Sequence, residues 1–86
     1  MHVTVVSPER SLYDGEADAV IAPAFDGLVG ILPRHAPFMT LLGEGVLMVR
    51  QHGKETRFRV SGGFLQVIPQ PEDTVRIVTD RVTEFS

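Results

Sequence analysis

The chain contains no cysteine, which excludes disulfide staples, thiolate zinc sites and cysteine nucleophiles together. Only one residue is lysine, and acids outnumber bases 11 to 8, for a formal net charge of −3. Phosphate recognition wants a strongly basic surface, so this balance argues against a nucleic-acid partner. No apolar run approaches the roughly 20 residues of a membrane-spanning helix. His2 and Thr4 break the apolar stretch that a signal peptide would need. With 43% hydrophobic and 22% charged residues, the composition is that of a folded domain rather than a disordered chain. Its 86 residues suffice for one domain and not two. A single cytoplasmic domain over residues 1–86 is the expectation.

What the chain has in quantity is β-branched: twelve valines, plus ten isoleucines and threonines together. Such side chains lose rotamer freedom in a helix and fit a pleated surface. Eight glycines and six prolines punctuate the sequence into short runs. The runs over residues 2–6, 11–13, 17–22, 29–32, 38–42, 46–51, 54–60, 64–68 and 75–79 read as strands. Asp14-Gly15 and His52-Gly53 are predicted to supply the positive φ angles of tight hairpins. Gln70-Pro71-Glu72-Asp73 reads as a longer polar connection. Short strands at close spacing, with no helical period, predict an antiparallel sandwich or barrel. The fold class is all-β.

Alternation within the strands separates two kinds. Thr56, Phe58 and Val60 face one way and Arg57 and Arg59 the other, and Val75 and Ile77 alternate with Arg76. Residues 46–49, 38–42 and 19–22 are instead apolar on both faces. A sheet in a small sandwich has one face toward the core, so part of this set is expected outside. A contiguous exposed apolar area marks a partner surface; the competing reading is that twist, loops and strand ends cover the surplus. Charge is also uneven. Residues 1–49 carry two arginines against six acids, and residues 50–76 five bases against three acids. The basic stretch is either a contact surface, to which the arginine fork is suited, or a solvated face with cross-strand ion pairs.

Signals for catalysis are few. His2, His35 and His52 show no HxH or HExxH spacing, although a cupin-type barrel could gather distant ligands. No P-loop Lys-Ser/Thr follows Gly62-Gly63, and Ser61 lacks a Gly-x-Ser-x-Gly context. No catalytic, metal or cofactor-binding residue is assigned. His52 reads as a hairpin tip and His2 as a solvent-facing strand residue. His35 lies in Leu32-Pro33-Arg34-His35-Ala36-Pro37, where two prolines stiffen the backbone. It is either a local brace or, with Arg34, a contact point on a neighbouring subunit.

Two segments carry a resemblance. Asp26-Gly27-Leu28-Val29-Gly30-Ile31-Leu32-Pro33-Arg34-His35-Ala36-Pro37-Phe38 resembles the signature region of the epsilon subunit of F-type ATP synthase. Val60-Ser61-Gly62-Gly63-Phe64-Leu65-Gln66-Val67 is similar to that family's Ser-Gly-Gly strand, and the opening residues 3–16 fit its first hairpin. The resemblance implies a flattened ten-stranded β-sandwich of two five-stranded sheets. It implies a non-catalytic rotor subunit, without cofactor or obligate homo-oligomer, that links gamma to the c-ring. That subunit supports the coupling of proton flow to ATP synthesis, peripheral to the cytoplasmic face of an energy-transducing membrane. On this likeness the loop from 26 to 35 would face the c-ring through Asp26, Leu28, Arg34 and His35. Met39, Thr40, Leu42, Ser61, Gly62, Gly63 and Phe64 would face gamma. The chain departs from the family at Leu28, where an acid is frequent, and at Arg34, where glycine is common. Residues 80–86 stand where the family continues into a helical hairpin that inhibits hydrolysis and in some members binds ATP. The expectation is a naturally short subunit without either property. The rival readings are a free-standing sandwich that binds a small ligand or sugar, and a cupin-like metalloenzyme.

Overall fold

A computed structural model describes residues 1–85. Among them are eight strands: β1 (His2–Val6), β2 (Ser11–Glu16), β3 (Ala19–Ala24), β4 (Gly27–Ile31), β5 (Phe38–Leu41), β6 (Glu44–Gln51), β7 (Lys54–Ile68) and β8 (Thr74–Phe85). They join in the order β2-β1-β8-β7-β6-β3-β4, with β5 on β7. All pairings are antiparallel except β1 with β8.

The expected ten strands are eight, because the two longest run unbroken through a corner. Ser61 pairs with Arg81 and Gly63 with Thr79, leaving Gly62 and Asp80 outside the ladder. Gly62 and Gly63 hold φ at 75° and 110°, values side chains rarely adopt. A Cβ on Gly63 would lie 1.9 Å from the Val78 carbonyl oxygen. The buried Thr79 hydroxyl donates at the bend, 2.8 Å from Arg81 O and 3.2 Å from Gly62 O. On one side of this corner β1 pairs with residues 74–78 of β8, and β5 with 64–67 of β7. On the other, β6 pairs with 54–61 of β7, and β3 and β4 follow.

The two halves close on one core. Val5, Ile77, Leu65 and Thr40 form one inward row across four strands, and Val3, Val75, Val67 and Phe38 the next. Val20, Ala22, Ile31, Leu47, Val49, Phe58 and Val60 complete the cluster from the other half. Each large member stabilises the fold by about 1.5–3 kcal/mol through burial.

Three local expectations are corrected. Asp14 and Gly15 are not a turn; they lie inside β2, opposite Thr4 and Val3. The reversal falls earlier, where Ser7 N donates to Arg10 O at 2.9 Å, and β1 bulges between Val5 and Val6. The reason is that β1 holds the Asp-Gly pair extended. Pro23 sits inside β3, where pairing to β6 has stopped at Ile21, so its missing N–H costs no rung. Residues 80–85, expected outside any strand, continue β8; Ser86 lies outside the described residues. The His52-Gly53 hairpin matches its expectation, with φ of 52° and 77°, both positive as a type I′ turn requires.

Candidate docking edge

β4 pairs only with β3, and β5 only with β7 apart from one bridge between Ala24 and Leu42. Both are terminal strands on the same side of the molecule. Phe25 N donates to Leu41 O at 3.0 Å and Gly43 N to Pro23 O at 2.8 Å, stitching the end of β3 to the end of β5. The loop over 32–37 closes the opposite end. Among the described residues six large apolar side chains remain exposed, and five stand on this edge: Phe25, Leu28, Leu32, Met39 and Leu41. Leu28 is 76% exposed and Met39 60%. β4 itself carries no charge and no proline, so it lacks the usual devices that guard an open strand edge.

The predicted contact residues separate on this frame. Asp26 occupies the β3–β4 turn, Leu28 lies on β4, and Arg34 and His35 lie beyond its far end. The segment from 26 to 35 is therefore an edge strand with a turn at each end rather than one loop. The four steps between the five residues of β4 rise about 13 Å from Asp26's end toward Arg34's.

Met39 faces outward and pairs with Gln66; Leu41 pairs with Phe64, Phe64 with Val78, and Val78 with Val6. That row makes an apolar stripe across the outer face. Thr40 and Leu42 are corrections: they are buried, 9% and 5% exposed. Strand alternation turns Thr40 inward beside Leu65, and Leu42 joins the core where its N donates to Gly63 O at 2.9 Å. Phe25 and Leu32 are exposed apolar residues that no expectation names as contacts, while Leu41 belongs to the run over 38–42 expected partly outside. Phe25 carried a signal, an aromatic beside an Asp-Gly turn. Ser61, Gly62 and Gly63 lie at the corner, where Gly62 N donates to Gly43 O at 3.2 Å.

Arg34 has φ at 64°, in the left-handed region that costs a non-glycine residue roughly 1–2 kcal/mol. Its backbone N–H donates to Asp73 Oδ2 at 2.7 Å, and His35 N donates to Leu32 O at 3.2 Å. The His35 ring lies 2.7 Å from Ala36 O through Nδ1 and tilts against Phe38 at 5.6 Å. The His35 ring is thus half-buried against the loop, and Arg34 is the more exposed of the two.

The basic stretch is largely a solvated strand face. Arg50 pairs with Glu55 at 2.8 Å and Arg57 with the same carboxylate at 2.5 Å. The Arg50 hydrogen bond, with Arg57 beside it, holds the Glu55 carboxyl below its ordinary range; exposed pairs of this kind are worth little. At the corner, away from the docking edge, an open cleft of about 340 Å³ is lined by Ser7, Glu9, Glu44, Arg59, Asp80 and Arg81 among others. Small-molecule sites are lined mostly by apolar and aromatic groups, and this lining is mainly charged or hydroxylated. His2 lies on an outer face between Asp14 and Glu16, and His52 at a hairpin tip.

Fold and edge together define a small all-β sandwich domain with its surplus apolar surface gathered along one flank. The chain belongs to the family of the ATP synthase delta/epsilon chain β-sandwich domain, whose model matches residues 1–85. It is 45% identical over 80 residues to the ATP synthase epsilon chain of Leptospira borgpetersenii, covering 93% of this chain and 61% of that one. Against the epsilon chain of Chloroflexus aurantiacus it is 45% identical over 85 residues, covering 99% and 61%. Thus it spans about three fifths of these relatives' length. Among solved structures it is similar to a chain of the Euglena gracilis mitochondrial ATP synthase with its c-ring (TM-score 0.86, 25% identity, 95% of this chain and 51% of that one). A chain of the Tetrahymena thermophila central stalk and c-ring shares the fold at TM-score 0.79 and 17% identity, covering 95% and 64%.

Proposed function

We propose that this domain is a non-catalytic rotor element of an F-type ATP synthase, linking the gamma subunit to the c-ring at the cytoplasmic face of the membrane. The observation that carries the reading is the gathering of five exposed apolar side chains on one edge of a family member. Exposed apolar side chains gathered on one side of a small domain mark a surface that a partner polypeptide covers. The edge around β4, with Asp26, Leu28, Arg34 and His35, meets the ring. The outer row with Met39, Leu41 and Phe64 meets gamma.

Cut at the Gly62-Gly63 corner, β7 and β8 each contribute to two layers. Each layer then counts five strands, the finer arrangement the resemblance implies. Rigid packing between stalk and ring suits a close-packed sandwich, whose interior resists deformation and transmits strain. Proton flow through the ring is then conveyed as rotation to the stalk.

Gel filtration with recombinant gamma from the same organism tests the assignment: co-migration is expected, and separate elution would refute it. Met39→Asp with Leu41→Asp is expected to abolish co-migration while the circular dichroism spectrum stays unchanged.

A further inference from the structure

We propose that Asp73 is a positioning residue for the docking loop over 32–37, an inference that rests on reading that loop as part of the ring-facing edge. Arg34 is a non-glycine residue at φ 64°, and such a conformation persists only where its surroundings over-determine it. The surroundings here come from 39 residues away. Asp73 Oδ2 accepts the Arg34 backbone N–H at 2.7 Å. Asp73 is itself held on both sides: its carbonyl accepts His2 N–H at 2.8 Å, and the Thr74 hydroxyl donates to Glu72 O at 3.2 Å.

The other carboxylate oxygen, Oδ1, is buried with no hydrogen-bond partner. A buried polar atom left unpaired disfavours the fold. An aspartate at the start of a strand is therefore an expensive choice for stability alone. What it supplies is a fixed acceptor that locks the left-handed turn between Pro33 and His35. With that turn locked, the His35 ring rests on Phe38, and the exposed Arg34 side chain is presented at one end of the edge.

The experiment compares Asp73→Ala and Asp73→Asn with the unaltered chain. It reads three quantities: hydrogen exchange at the Arg34 amide by NMR, the thermal midpoint, and affinity for the detergent-solubilised c-ring of the same organism. Asp73→Ala is expected to speed Arg34 exchange at least tenfold and weaken ring binding about tenfold. The midpoint should stay within about 3 °C, because the bond from His2 N is to the backbone and survives. Asp73→Asn keeps an acceptor and is expected to restore both slow exchange and binding. Unchanged exchange in Asp73→Ala overturns the clamp. Faster exchange with undiminished ring affinity overturns the positioning role. If the unaltered chain does not bind the ring at all, the proposed function fails instead, and exchange alone decides whether Asp73 holds the turn.

Discussion

At residue scale, Arg34 and Leu42 show how a single position can invert its reading. Arg34 occupies a conformation suited to glycine. Arg34→Gly relieves roughly 1–2 kcal/mol of left-handed strain and loses about 0.4–1 kcal/mol through a looser unfolded chain. A net gain of about 0.5 kcal/mol is expected in urea titration; a loss would mean that the turn is unstrained. Leu42 is core and Met39 is surface, although both lie in one apolar run. Leu42→Asp is expected to unfold the domain, since a buried unpaired carboxylate costs several kcal/mol. Met39→Asp is expected to stay within about 0.5 kcal/mol of the parent. His2 offers a pH test: its Nε2 lies 2.7 Å from Asp14 and its Nδ1 3.2 Å from Glu16. Those hydrogen bonds, Asp14's first, raise its pKa above 6.5. The pairing therefore contributes fully below about pH 6.5 and fades as pH rises through the higher folded value. Asp14→Asn should flatten the dependence of the thermal midpoint on pH across that interval.

At the scale of elements, the corner in β7 and β8 decides the architecture. Gly63 meets backbone atoms, with Val78 O at 1.9 Å and Thr79 Cα at 2.8 Å from a Cβ built there, and backbone cannot swing aside as a side-chain tip can. Gly63→Ala is expected to cost more than about 3 kcal/mol, read as a lowered urea midpoint or loss of the folded spectrum. Gly27, whose φ is also positive, has open space around its Cβ position. Strand alternation was legible in the sequence wherever one face is polar, as in 54–60. It was silent in 38–42, where both faces are apolar and only pairing to β7 assigns Thr40 inward and Leu41 outward.

For the whole molecule, the question is which flank stays uncovered. Five of the six exposed large apolar groups among the described residues lie on β4, β5 and their connections, with Val46 on β6 the sixth, while the cleft lined by Arg59, Arg81 and three acids lies at the corner. Ring binding through an edge with one acid at one end and one arginine at the other should depend weakly on salt, because few charges are engaged. Leu28→Asp is expected to weaken ring affinity about tenfold without altering the fold. A steep decline in the parent's affinity between 50 and 300 mM salt, on the order of tenfold or more, would instead assign docking to charge.

Local sequence suffices for the all-β class, most strand locations, the His52-Gly53 hairpin and the family likeness. Each of these is written in neighbouring residues, through β-branching, period-2 alternation and turn chemistry. Tertiary structure alone decided that Thr40 and Leu42 turn inward, that Asp14-Gly15 is extended, and that the segment after Asp26 is an edge strand. It also decided that Asp73 reaches Arg34. Those outcomes depend on which strands become neighbours, and pairing joins residues tens of positions apart whose identities carry no local trace of it.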